Sequence, residues 1–216
     1  MQKEKIILFD LDGTLIDSVE SIYESCCVAC EKNHIQIPTL DSVRKVIGYT
    51  LEDMFFTLGA CDNNINFCVE AYRLYYKSIY LQKTKMLPNA TKSIQIASGF
   101  SRLGIVTTKT AKYSKELLEY LGILEYFEVI IGIEDVKFPK PHKEPILKAL
   151  EKMNANILDY KVFMIGDTIL DVQSAIDAKV FPIGVRSGYG DYEALNKVCE
   201  DLFEDTLEAL EYIKTL

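Results

Sequence analysis

The sequence predicts an α/β protein: a doubly wound parallel sheet with helices on both faces, interrupted once by an all-helical insertion. Short apolar runs at Lys5 to Phe9, Leu103 to Thr107, Val129 to Ile131, Val162 to Ile165 and Pro182 to Val185 have the length and continuity of strands buried on both faces. Between the later runs lie amphipathic stretches of helical length, which imply right-handed crossovers and parallel pairing. From Ser18 to about Lys83 only the helical period is present, so this block reads as a bundle inserted after the first strand.

In chain order, the first strand ends in Asp10, and the insertion follows with helices at Ser18 to Asn33, Thr39 to Ile47, Leu51 to Leu58 and Asn64 to Tyr80. Thr50-Leu51-Glu52-Asp53 has capping-box spacing and marks a helix start. After Pro88 come helices at Ala90 to Ser98, Ala111 to Leu121, Glu144 to Met153, Leu170 to Ala178 and Thr206 to Ile213, alternating with the strands. The expected division is a body of residues 1–16 and 84–216 and a cap of residues 17–83. In parallel sheets of this kind ligands bind at the carboxyl ends of the strands.

Hydrophobic residues make up 49% and charged residues 26% of the 216, the balance of a folded globular chain rather than a disordered one. A net charge of −8 repels nucleic acid and anionic membranes, so a small anion would need cations gathered locally. No stretch approaches a membrane span, and Met-Gln-Lys-Glu-Lys followed by four apolar residues does not form a signal peptide. The expected setting is a reducing cytoplasm. Cys26, Cys27 and Cys30 share a helical pattern with Val19, Ile22 and Tyr23, which favours core packing over metal binding.

The sharpest local signal is Asp10-Leu11-Asp12-Gly13-Thr14, at the end of the first strand. Two carboxylates two residues apart in extended chain point to the same side. One can attack phosphorus while the other delivers and removes a proton. Their mutual repulsion calls for a cation or a raised pKa, and magnesium takes carboxylate, carbonyl and phosphate oxygens together. Further carboxylates follow another strand, in Gly166-Asp167-Thr168-Ile169-Leu170-Asp171. Asp167 also reads as a helix N-cap, and Asp171 as an acid placed by the helix dipole. Thr107 and Thr108 end a strand just before a helix, a natural anion cradle. Lys140, in the loop before Pro141, can neutralise both phosphate and a carboxylate nucleophile.

Together these residues resemble the four motifs of the haloacid dehalogenase-like phosphatase superfamily, in order along most of the chain: Asp10-x-Asp12-Gly13-Thr14, Thr107, Lys140-Pro141, and Gly166-Asp167-Thr168-x-x-Asp171. The resemblance implies a Rossmann-like core and an aspartyl-phosphate mechanism with Asp10 as nucleophile and Asp12 as general acid and base. It implies that Thr107 and Lys140 hold the phosphoryl group, with Gly13, Thr14 and Thr108 beside them. It implies Mg2+ on Asp10, the Asp12 backbone carbonyl and Asp167, with Asp171 in support. Asp12 favours a phosphatase or phosphomutase over the dehalogenases, which lack it. The helical block resembles the cap that closes over substrate in this group.

Gly104-Ile105-Val106-Thr107, Lys140-Pro141-x-x-Glu144-Pro145 and Gly184-Val185-Arg186-Ser187-Gly188-Tyr189-Gly190 resemble the phosphoglycolate phosphatases and related pyrophosphatases, with Lys143 where proline is usual. Arg44 and Gly48 resemble their substrate-facing cap residues, although Arg44 also reads as a solvated helix charge. The implied partner is a small phosphorylated metabolite such as phosphoglycolate. The alternatives are a phosphomutase, a pyrophosphatase, or a non-catalytic module that binds phosphate and magnesium. The oligomeric state is not legible.

Overall fold

The structure is a computed structural model that describes residues 4–216; residues 1–3 of the expected body lie outside it. Its strands are β1 Glu4–Phe9, β2 Ile16–Asp17, β3 Lys85–Met86, β4 Ser101–Val106, β5 Val129–Ile131, β6 Tyr160–Gly166, β7 Phe181–Val185 and β8 Leu202–Phe203. The helices of the insertion are α1 Val19–Lys32, α2 Leu40–Arg44, α3 Leu51–Thr57 and α4 Ile65–Ile79. Those of the body are α5 Ala90–Ser98, α6 Ala111–Tyr120, α7 Glu144–Lys152, α8 Ile169–Ala178, α9 Tyr192–Val198 and α10 Thr206–Thr215.

Six strands form one sheet in the order β5-β4-β1-β6-β7-β8, and every pairing is parallel. β1 lies inside the sheet, and Ile6, Ile7, Leu8 and Phe9 are fully buried, as its unbroken apolar run requires. From β1 the chain steps outward to β4 and β5, then returns to the other side for β6, β7 and β8. This reversal creates a crevice at the carboxyl ends of β1, β4 and β6, where such sheets bind ligands.

The insertion buries its apolar faces in the same hydrophobic cluster as the sheet: Cys26, Val43, Phe55 and Tyr72 join Ile7 and Phe9. Its start at α3 is capped as expected, with Thr50 Oγ1 accepting from the Asp53 N–H at 3.2 Å and donating to Asp53 Oδ2 at 2.7 Å. α2 stops at Arg44, three residues short of the expected end, because the chain turns there toward Gly48, whose φ is +101°. The two crossings between insertion and sheet are tied by the antiparallel β2–β3 pair.

That pair, α9 and β8 are not anticipated by the periodicity. Two-residue strands carry no period, and α9 buries only Leu195. All six cysteines are free thiols. Cys26, Cys30 and Cys68 belong to the core cluster, and burial pushes the Cys26 thiol up and that of Cys30 to about 11, the behaviour of packed thiols. Among the described residues no helix is long and apolar enough to cross a membrane.

Candidate active site

β1, β4 and β6 end side by side, which places Asp10, Thr107 and Asp167 on one rim of the sheet. Lys140 arrives from the loop after β5 and closes the group. Its ammonium lies 2.8 Å from Asp10 Oδ1 and 2.5 Å from Asp171 Oδ1, and it donates to the Val106 carbonyl at 3.2 Å. Lys137 and Lys143 in the same loop are exposed. Thr107, at the end of β4, is buried, and its hydroxyl accepts from the Lys109 N–H at 3.2 Å.

Asp10, Asp167 and Asp171 are all buried, with one carboxylate oxygen of each within 4.8 Å of the others. Burial pushes the Asp10 carboxyl up to about 8; Lys140 opposes the rise, and the neighbouring carboxylates of Asp171 and Asp167 add to it. Asp167 is pushed up to about 7, again by burial first and then by Asp171. Burial disfavours the Lys140 charge, yet Asp10 and Asp171 outweigh it and hold the ammonium above the usual lysine range. Three buried carboxylates against one ammonium form a cluster short of positive charge. Its donors are hard oxygens, so it could hold a divalent cation such as magnesium.

The oxygens of this cluster are aimed by neutral donors. Asp167 Oδ1 accepts from Thr14 Oγ1 at 3.0 Å and Oδ2 from the Tyr189 N–H at 2.8 Å. Asp171 Oδ2 accepts from the Thr168 N–H at 3.1 Å and hydroxyl at 2.6 Å. Asp171 therefore spends both oxygens on protein, Oδ1 on Lys140 and Oδ2 on Thr168. Gly13 turns with φ +88° directly against Asp167, where a Cβ would lie 2.8 Å from the carboxylate carbon, so only glycine suits that position.

Asp12 stands apart from the three acids. Its carboxylate meets Lys109 Nζ at 3.1 Å and accepts from the Ser18 hydroxyl. After Asp10 the chain leaves the extended conformation for a tight turn, so the alternation of a strand no longer aligns the two side chains. Lys109, half-buried, donates to Tyr76 Oη at 2.8 Å and lies over the Tyr76 ring at 4.7 Å.

Several expected phosphate contacts already have protein partners. Thr14 spends its hydroxyl on Asp167, and the Gly13 N–H donates to the Ile16 carbonyl at 2.9 Å. Thr108 Oγ1 donates to the Gly48 carbonyl at 2.9 Å, joining the sheet rim to the insertion. Gly48 lines the cleft between the two parts; Arg44 is exposed on α2, and Arg73 of α4 lines the cleft instead.

Lys109 and Tyr189 are not anticipated from the sequence. Lys109 follows the Thr107-Thr108 pair directly, and a lysine two residues past a strand end can fold back over the rim; that proximity is the signal it offers. Tyr189 sits in the Gly188-Tyr189-Gly190 string. Its hydroxyl donates to Asp17 Oδ1 and accepts from the Ser18 N–H, both at 2.9 Å, while its N–H holds Asp167. One residue thus ties an acid of the cluster to the crossing into the insertion.

The family model described as haloacid dehalogenase-like hydrolase matches residues 7–185. A Caldanaerobacter subterraneus protein carrying a pyrophosphatase name, PpaX, is 30% identical over 211 residues, covering 96% of this chain and 94% of its own. A phosphoglycolate phosphatase of Salmonella typhimurium is 28% identical over 239 residues, 97% of this chain and 94% of its own. The crystal structure of a predicted phosphatase from Clostridium acetobutylicum superimposes with a TM-score of 0.88 at 29% identity, over 100% of both chains. The chain belongs to the haloacid dehalogenase-like hydrolase family.

Proposed function

We propose that this chain is a magnesium-dependent phosphatase that hydrolyses a small phosphorylated metabolite through an aspartyl-phosphate on Asp10. The observation that carries this reading is the buried cluster in which Lys140 bridges Asp10 and Asp171 beside Asp167. Lys140 fixes one oxygen of Asp10, and the other is left to attack phosphorus in line with the leaving oxygen. Thr107 and Lys140 hold the phosphoryl oxygens, and Lys140 offsets the charge that builds on them. Magnesium would be held by Asp10, the Asp12 carbonyl and Asp167, supported by Asp171. It would add positive charge beside the phosphate oxygens.

Asp12 works on the other side of the transferred group. Protonated, it gives its proton to the leaving oxygen as the P–O bond breaks and phosphorus bonds to Asp10. As a carboxylate it then takes a proton from water, whose oxygen adds to phosphorus and frees Asp10 and inorganic phosphate. The Ser18 hydroxyl and Lys109 hold it in place through both steps. Residues 17–83 act as a cap that excludes bulk water, and residues 1–16 and 84–216 as the catalytic body. A cytoplasmic setting suits the six free thiols.

The test is phosphate release from p-nitrophenyl phosphate with magnesium. Asp10→Asn and chelation by EDTA are each expected to abolish it, and full turnover by Asp10→Asn would remove Asp10 as nucleophile. A pyrophosphatase keeps the same residues, and the PpaX relative gives that reading its support; release from pyrophosphate far above that from any monoester would establish it.

A further inference from the structure

We propose that the alcohol part of the substrate is apolar and uncharged, a hydrocarbon or aromatic group rather than one bearing a carboxylate or a second phosphate. This rests on the phosphatase reading above, in which Asp12 protonates the leaving oxygen. The rest of the alcohol must then lie in the cleft that Asp12 lines.

The walls of that cleft decide what fits. Ile22, Ile47 and Met54 come from the insertion with Tyr72 and Tyr76 of α4, and Tyr113 of α6 faces them from the body. Tyr76 stacks on Tyr72 with ring centroids 5.4 Å apart and meets Tyr113 edge-on at 5.9 Å. The aromatic surface is thus continuous across both parts of the molecule.

Of the two cations of the cleft, Lys109 is the more deeply placed and is already engaged. The Lys109 side chain is 9% exposed and already holds Asp12 at 3.1 Å and Tyr76 Oη at 2.8 Å. A substrate carboxylate could reach it only by drawing Lys109 away from Asp12 and Tyr76. Arg73 lines the cleft from an exposed position, where a charge contact is worth little, and Glu52, also exposed, lines the same cleft. A carboxylate entering between the tyrosines would give up its water for one exposed arginine and one lysine already paired, an unfavourable exchange. A hydrocarbon gains instead, by about fourfold in binding for each methylene buried.

The experiment uses the native protein with magnesium and esters whose leaving alcohols are of similar basicity: methyl to butyl phosphate, benzyl phosphate and 2-phosphoglycolate. The expected result is a kcat/KM that climbs by about fourfold per methylene along the alkyl series. Benzyl phosphate should surpass 2-phosphoglycolate by more than about tenfold, the equivalent of two buried methylenes. A flat alkyl series, or 2-phosphoglycolate preferred over benzyl phosphate, would overturn the proposal. Ile133→Lys, at a half-buried position on the cleft wall, should shift the ratio toward 2-phosphoglycolate, and an unchanged ratio would also count against it. Failure to release phosphate from any ester, or from acetyl phosphate, would instead remove the phosphatase reading and this proposal with it.

Discussion

Replacing Lys140 by methionine isolates the electrostatic logic of the site, because the ammonium is removed while most of the buried stem remains. Its side chain is 2% exposed and contacts Asp10 at 2.8 Å and Asp171 at 2.5 Å. No other salt bridge reaches the three acids among the described residues. Removing one partner of a buried ion pair costs about 3–5 kcal/mol. For a chain of this size each kcal/mol shifts the melting temperature by about 2–4 °C, so a fall of roughly 6–20 °C is expected in EDTA. The fall should depend on pH. With the Asp10 carboxyl already pushed up to about 8 by burial, a proton can take over part of the role of the lysine below that value, so the penalty grows as pH rises through it. Melting curves in EDTA at about pH 6 and about pH 9 measure this. Magnesium at about one hundred times its Kd would restore about 2.7 kcal/mol. Turnover should drop by about a hundred-fold or more, as when a charge-stabilising donor is lost. A melting temperature at the higher pH within about 2 °C of the native protein would refute the claim that Lys140 offsets the cluster.

Other consequences are measurable. In metal-free native protein Asp10 and Asp167 rise from the ordinary 3.8 to about 8 and about 7; the folded state keeps protons that the unfolded state has lost, so stability should fall as pH rises across that interval. For the same reason calorimetry should show magnesium binding releasing protons, and binding tighter as pH rises toward 8; pH-independent binding would contradict this. Tyr189→Phe removes the two hydroxyl bonds at the crossing but keeps the N–H on Asp167. Losing them should cost about 0.5–1.5 kcal/mol each, seen as faster amide exchange at residues 16–18 and a raised KM with kcat little changed.

The strands and helices that were legible are those whose buried faces repeat over several turns or residues. Ala90–Ser98 and Val129–Ile131 match the expected bounds to the residue, because their apolar pattern is uninterrupted and ends at Gly99 and Gly132. The carboxylates and Lys140 were legible because their chemistry depends on residue type at the end of a strand. What was not legible arises from tertiary approach. Lys109 reads as one more surface lysine until α4 brings Tyr76 to it and the turn at Gly13 swings Asp12 toward it. Tyr189 reads as a loop aromatic until β7 carries it over the first crossing. Local pattern is also silent on the hydroxyls of Thr14 and Thr108, which bond to Asp167 and to the Gly48 carbonyl.

In the proposed mechanism Asp10 carries the phosphoryl group while Asp12 moves the protons. Asp12→Asn separates the two roles, since asparagine can neither protonate a leaving alcohol nor activate water. Mixed with magnesium and acetyl phosphate, whose leaving group needs little protonation, this variant should accumulate a phosphoenzyme. Acid quenching and peptide mass spectrometry should then find the phosphate on Asp10. Steady turnover with no phosphorylated residue, or a phosphate mapped to any other side chain, would contradict the account.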